Sequence, residues 1–148
     1  MRILAPLLAA ALLAAPALAK EGMIHQTATT DVAETVAAFE KVLKSKGATV
    51  FAIVEHANGA ASVDMELAPA TLVIFGNPKL GTPMMQAAPS MGAELPMKAH
   101  FTGGEDGGTI VTYTDIKAVA ERHGVPTDHE AVQKAAKALD GLTGAIAK

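Results

Sequence analysis

Apolar residues recur at helical spacing in two long stretches of the chain and predict two amphipathic helices. Asp31 followed by Glu34 is typical of a helix start, and Gly47 supplies a stop for the first helix. Thr127 followed by Glu130 forms the same kind of capping pair before the second. The apolar stripe of the first helix consists of Val32, Val36, Phe39 and Leu43, and that of the second of Val132, Ala135, Leu139, Leu142 and Ile146.

Alternating or continuous apolar runs predict the strands. The run at 48–54 is apolar on both alternating faces, which predicts a strand covered on both sides or lying at a buried centre. The last two runs flank six residues rich in glycine and predict a hairpin. The five runs cover residues 23–28, 48–54, 71–75, 96–102 and 109–113.

Three further stretches complete the predicted order of elements. Residues 58–70 predict a loop followed by a short strand in which apolar residues alternate with carboxylates. Thr82-Pro83 has the N-cap and first-turn chemistry of a short helix, and Asp115 begins another. Because no repeat or linker interrupts this order, the sequence predicts a single α+β domain over residues 20–148.

The composition is 50% hydrophobic, and these residues are concentrated at the N-terminus. A basic residue precedes an apolar run, and Ala17 and Ala19 form an A-x-A cleavage site before Lys20. The uninterrupted apolar run between Pro6 and Pro16 is far shorter than the roughly 20 residues of a membrane span. We therefore predict a signal peptide over residues 1–19, a mature protein in the periplasm or outside the cell, and no membrane insertion after cleavage.

The absence of cysteine and the charge balance exclude several classes of function. Without cysteine there is no disulfide, thiolate nucleophile, iron–sulfur cluster or zinc ribbon. A formal net charge of −3 argues against nucleic acid as a partner, because phosphate binding needs clustered Lys and Arg. No G-x-S-x-G elbow is present, and no general base with a positioned nucleophile can be named, which favours a protein without catalytic activity.

Histidine and methionine are the remaining soft or borderline metal ligands. The five histidines show no H-x-x-x-H or H-E-x-x-H spacing, and the seven methionines suit core packing in a chain with few aromatic residues. Thioether sulfur also suits copper(I), and axial His and Met can hold haem without cysteine. The residues that a copper or haem site would use are His56, His100, Met84 and Met97.

Residues 75–85, FGNPKLGTPMM, contain more turn-forming and helix-capping residues than a simple connection between a strand and a helix requires. A strand leads into an Asn-Pro step, a lysine and then the predicted helix start. Free N–H groups at a helix start, with Lys79 nearby, predict a site for an anion or carboxylate. The structural alternative is a well-capped turn from strand to helix.

The longer segment FGNPKLGTPMMQAAPSMGAELP at 75–96 resembles the hallmark of the domain of unknown function 302 (DUF302) family, also called TT1751-like. Lys46-Gly47 before VFAIVEH, the Gly107-Gly108 pair and AERHG at 120–124 agree with that family. The resemblance covers about residues 29–125 and implies an α+β two-layer sandwich, with an antiparallel sheet packed by helices. It implies no settled activity.

Two functions follow from these observations as hypotheses. The first is an exported, non-catalytic module that holds a small anionic or polar ligand, with no resident cofactor, at His56, Asn77, Lys79 and Thr82. The second is a metal- or haem-binding protein of envelope metal or redox homeostasis. An antiparallel sheet with an uncovered edge can also pair with a second copy, so a homodimer is a further expectation.

Overall fold

The computed structural model describes residues 22–147, so the predicted signal peptide lies outside the described residues. The five strands are β1 (Met23–Ala28), β2 (Thr49–Glu55), β3 (Ala70–Gly76), β4 (Met97–Gly103) and β5 (Thr109–Thr114). The helices are α1 (Val32–Ser45), α2 (His56–Ala61), α3 (Pro78–Ala87), α4 (Ile116–Arg122) and α5 (Glu130–Thr143). A short 3-10 helix, Pro89–Ala93, follows α3.

The strands form one sheet in the order β1-β5-β4-β3-β2, and every neighbouring pair is antiparallel. Helices α1, α3, α4 and α5 contribute buried apolar side chains to a common core with one face of this sheet. The architecture is the α+β two-layer sandwich that the resemblance implies, and the fold prediction is confirmed.

The core is centred on Phe39 of α1, which is fully buried. Its ring meets Phe75 of β3 edge-on, with ring centroids 5.2 Å apart, and Phe101 of β4 at 5.3 Å. The predicted stripes of α1 and α5 both face this core, because their periodicity of 3.6 residues places them on one side of each helix.

Strand alternation separates the two faces of the sheet. On β4, Met97, Ala99 and Phe101 point toward the helices, whereas Lys98 and His100 point to the opposite face. That opposite face carries a row of paired residues across the sheet, which we call the open face. The row is His25, Thr112, His100, Leu72 and Val54.

The prediction that the strand at 48–54 lies at a covered centre is wrong, because β2 is an edge strand of the sheet. Phe51, Ile53 and Val54 are 56%, 41% and 39% exposed. A bulge between Val50 and Ala52 also shifts the register of β2 against β3, so the residues before and after it do not follow one alternation. An apolar run reflects a preference for extended structure, and the position of a strand in the sheet depends on long-range pairing.

The segment 58–70 also differs from its prediction of a loop followed by a short strand. The chain forms α2 first, and residues 62–69 form turns and irregular backbone. The N–H groups of Val63 and Met65 both donate to the Ala60 carbonyl, which removes them from any strand pairing. The alternating residues Val63, Met65 and Leu67 are consequently all exposed.

Helix α5 begins at Glu130, two residues later than a cap at Thr127 would start it. The cap of α5 is His129, whose Nδ1 accepts from the N–H of Ala131 at 3.3 Å. A turn closed by the His129 N–H and the Pro126 carbonyl occupies the preceding residues. The backbone carbonyl of Thr127 instead accepts a hydrogen bond from the side-chain amide of Gln133. The prediction of a cap at Thr127 is therefore wrong, although the helix and its buried face are present.

Candidate functional site

An apolar cavity of about 740 Å³ lies at the end of the sheet where β3 passes into α3. Its walls come from the start of β2, the segment from Phe75 to Met85, the residues around Pro96, and α5. Phe75 and Met84, both nearly fully buried, belong to the core that the cavity adjoins. The segment singled out in the sequence therefore forms one wall of the cavity.

Helix α3 begins one turn earlier than the sequence predicts. Asn77 is its N-cap and Pro78 its first residue, so Thr82 and Pro83 lie inside the helix. Asn77-Pro78 offers the same cap and first-turn chemistry as Thr82-Pro83, and the earlier pair starts the helix. The prediction of a helix start at Thr82 is wrong for this reason.

The backbone donors at the start of α3 are already used within the helix cap. Pro78 has no N–H, and the N–H of Lys79 donates to the Asn77 side-chain oxygen at 2.9 Å. The N–H groups of Leu80 and Gly81 both donate to the Asn77 carbonyl at 2.9 Å. The free N–H groups on which the anion hypothesis relied are thus absent from the first turn of α3.

The four residues of the first hypothesis separate in the structure. Asn77 and Thr82 line the cavity, whereas Lys79 is exposed and is not a lining residue. His56 begins α2, beyond the opposite end of β2 from the lining residues Ala48 and Phe51. The structure therefore brings together two of the four.

The four residues of the metal hypothesis fall into two pairs. Met84 and Met97 line the cavity on the helix side of the sheet. His56 lies against His100 of the open face, with ring centroids 5.5 Å apart and the rings nearly perpendicular. Because Met97 and His100 point to opposite faces of β4, the sheet separates the thioethers from the imidazoles.

The histidine pair has an electrostatic consequence at His100. Partial burial lowers the pKa of His100 below its ordinary value of 6.5, and the neighbouring His56 lowers this pKa further. Both effects favour the neutral imidazole, which is the form that binds metals. Within residues 22–147, no group of three or more His, Asp or Glu side chains is placed to hold a metal ion.

Sequence reasoning missed the part of the cavity that α5 supplies. Ala135, Ala138 and Gly141 recur every three residues and line the cavity, together with Lys137. A Cβ built on Gly141 meets no heavy atom within 4 Å. A row of small residues beside an apolar stripe could have signalled this space, but the wall formed by Phe75 to Met85 lies 50 or more residues earlier in the chain.

Lys46, the C-cap of α1, is a further lining residue that sequence reasoning missed, as are Ala48 and Phe51. Its only signal was its position before Gly47 in the turn that leads into β2. That the turn faces α5 is a property of the tertiary fold.

The sheet order, the single helical layer and the cavity define an α+β two-layer sandwich protein with a preformed apolar cavity. A family model described as "Domain of unknown function DUF302" matches residues 24–146, and the chain belongs to this family. Within residues 22–147, no helix combines the length and the apolar character needed to cross a membrane.

The chain is also similar to curated proteins and to a solved structure. The fluoride-specific ion channel FluC 1 of Brucella suis biovar 1 (strain 1330) is 33% identical over 127 residues, which cover 86% of this chain and 49% of the relative. FluC 2 of Brucella melitensis biotype 1 has the same identity, with 46% of its length covered. The chain thus spans about half the length of the curated relatives it matches.

The crystal structure of an uncharacterized conserved DUF302 protein from Bacillus stearothermophilus has a TM-score of 0.77 to this chain. The match covers 85% of this chain and 98% of the other, at 16% identity. This similarity shows the fold.

Proposed function

We propose that the protein is an exported, non-catalytic module that binds a small, largely apolar ligand in the cavity beside α3. The observation that carries the proposal is the cavity itself. Its volume of about 740 Å³ lies within the range of small-molecule sites, which are largely apolar with a few polar groups. Asn77 and Thr82 are among the few polar residues that line this cavity.

The structure changes which residues this proposal uses. Asn77 is engaged in the α3 cap and in a bond to Gly47, so its first role is to hold the cavity wall. Lys79 and His56 are not lining residues, and the proposal no longer includes them. The FluC relatives match this chain over only about half of their length, and we do not extend their channel activity to it.

The proposal is tested with N-phenyl-1-naphthylamine, a neutral apolar fluorophore, titrated into the purified mature protein. Gly141→Leu adds a side chain at a lining position with open space around it, and it should lower the affinity about tenfold or more. Gly59→Leu is the matched control, because Gly59 lies on α2, has equally open surroundings and does not line the cavity.

The expected result is binding by the wild type and by Gly59→Leu, with weak binding by Gly141→Leu. If the wild type does not bind the fluorophore, or if Gly141→Leu binds it as tightly as the wild type, the cavity is not the site and the proposal fails.

A second candidate function rests on the contact between His56 and His100. Two imidazoles on one exposed face suit copper(II), with water completing the coordination sphere. Elemental analysis and copper titration of the wild type and of His56→Gln test it, with His129→Gln as the control because His129 lies at the start of α5. Loss of copper binding in His56→Gln alone supports this function, and a protein that ignores copper overturns it.

A further inference from the structure

Two lysines from different elements line the cavity, and they are its only charged lining residues among those described. Lys46 ends α1 and Lys137 lies on the third turn of α5. Both residues line the cavity and are also exposed, so they lie at the border between the cavity and solvent. Within residues 22–147, neither takes part in an ion pair.

Among the acidic residues close in sequence to the lining, Asp140 stands between Leu139 and Gly141 and takes part in no ion pair of residues 22–147, whereas Glu94 and Glu130 are paired. Glu94 precedes the lining residue Leu95, and its carboxylate accepts two hydrogen bonds from Arg122 at 3.0 and 3.1 Å. Glu130, on the first turn of α5, pairs with Lys134. The cavity thus combines an apolar interior with two lysines that form no ion pair within residues 22–147, and these two cations outnumber the neighbouring carboxylate of Asp140.

The interior of the cavity and its opening suit different parts of a ligand. The inner wall includes Phe75, Met84 and Leu139, all at most 6% exposed, so an alkyl or aromatic body entering the cavity is removed from water. A charged headgroup at the same depth would lose its hydration without a partner. A headgroup at the opening keeps its water and lies near Lys46 and Lys137.

We propose that the ligand of this cavity is an amphiphile with an apolar tail and a single anionic headgroup, whose tail fills the cavity and whose headgroup binds at Lys46 and Lys137. This inference rests on the proposed function and adds the chemical class of the ligand. It also replaces the helix start as the source of anion recognition, because the N–H groups of that first turn are already used.

The test compares three probes with the same ten-carbon chain and different headgroups: decanoate, 1-decanol and decylammonium. Each displaces N-phenyl-1-naphthylamine from the mature protein at low ionic strength. We expect decanoate to bind at least tenfold more tightly than decylammonium, with decanol between them. The preference for decanoate over decanol should shrink in 0.5 M salt, because exposed charge pairs are screened.

The double variant Lys46→Gln/Lys137→Gln should reduce the preference for decanoate over decanol by roughly tenfold, since each exposed pair contributes up to about fivefold. Its affinity for decanol should stay unchanged. The matched control is Lys41→Gln/Lys98→Gln, which makes the same change in net charge at two exposed lysines outside the cavity, Lys98 being on the opposite face of β4. It should retain the preference.

The outcomes separate the two proposals. If the fluorophore binds and is displaced equally by all three probes, or if the control pair loses the preference as fully as the lining pair, the anionic class is wrong and the cavity remains a binding site. If neither the fluorophore nor any probe binds, the proposed function fails and this inference fails with it.

Discussion

Asn77 links two turns at the end of the sheet through both ends of its side-chain amide. Its Nδ2 donates to the Gly47 carbonyl at 3.2 Å, 30 residues earlier in the chain. Its Oδ1 accepts from the Lys79 N–H at 2.9 Å and caps α3. One amide thus fixes the end of α1 against the start of α3, and both turns border the cavity.

Asn77→Ala should lower the free energy of unfolding by about 1–2 kcal/mol, because it removes a helix cap and a hydrogen bond between turns. Asn77→Asp is the matched variant, since a carboxylate can still accept from Lys79 but cannot donate to Gly47. It should lose less stability than Asn77→Ala. Chemical denaturation curves measure both, and equal stability of Asn77→Ala and the wild type would contradict the assigned role.

Phe39→Ala should destabilise the protein by about 3–5 kcal/mol, because it leaves a cavity where three aromatic rings meet. Phe51→Ala removes an equal side chain from the exposed edge strand, where Phe51 is 56% exposed, and should cost less than about 1.5 kcal/mol. The comparison uses urea denaturation of both variants. A loss of similar size in the two would mean that Phe39 is not the centre of the core.

The lowered pKa of His100 predicts a pH dependence of stability. In the unfolded chain His100 becomes protonated near its ordinary pKa of 6.5, whereas in the folded chain its pKa is lower and protonation requires a more acidic pH. The unfolded state therefore holds more protons in this window, and the free energy of unfolding decreases as the pH falls below 6.5. The decrease ends once His100 is protonated in both states.

Two variants isolate this contribution. His100→Gln should flatten the decline in stability below pH 6.5 relative to the wild type. In His56→Gln, an NMR titration should show the pKa of His100 moving only part of the way back to 6.5, because burial is the larger cause and remains. A full return to 6.5 would show that His56 is the dominant cause instead.

Export predicts a defined mature N-terminus. Protein recovered from the periplasm should begin at Lys20, and its intact mass should correspond to the loss of residues 1–19. Ala19→Asp should block cleavage, because the site requires a small neutral residue, and should leave a longer form in the cell. Intact mass spectrometry measures both, and an uncleaved wild type would contradict the prediction.

Periodicity predicted those features that depend on local sequence. The apolar stripe from Val32 to Leu43 and the alternation along β4 could both be assigned from the sequence alone. In each case the spacing of apolar residues shows which side of a single helix or strand is buried. The edge position of β2 could not, since its apolar run is compatible with any place in the sheet.

The candidate site was predictable only in part, for a related reason. Asn77 and Thr82 stand in a segment with unusual turn chemistry, and both reach the cavity. Lys46 and Lys137 are separated by 90 positions and carry no local signal, so their common place at the opening arises from the tertiary fold. His56 was grouped with Asn77, Lys79 and Thr82, but it begins α2 at the other end of β2, and the sequence did not predict α2.

Helix α5 belongs to both the hydrophobic core and the wall of the cavity. Its residues Leu139 and Leu142 pack in the core and also line the cavity. A ligand bound as proposed would therefore stabilise the docked state of α5, and fraying of that helix would remove part of the cavity wall. Occupancy and the local unfolding equilibrium of α5 are thermodynamically linked. Amide hydrogen exchange along α5 consequently reports ligand binding from the backbone, even for ligands without a spectroscopic signal.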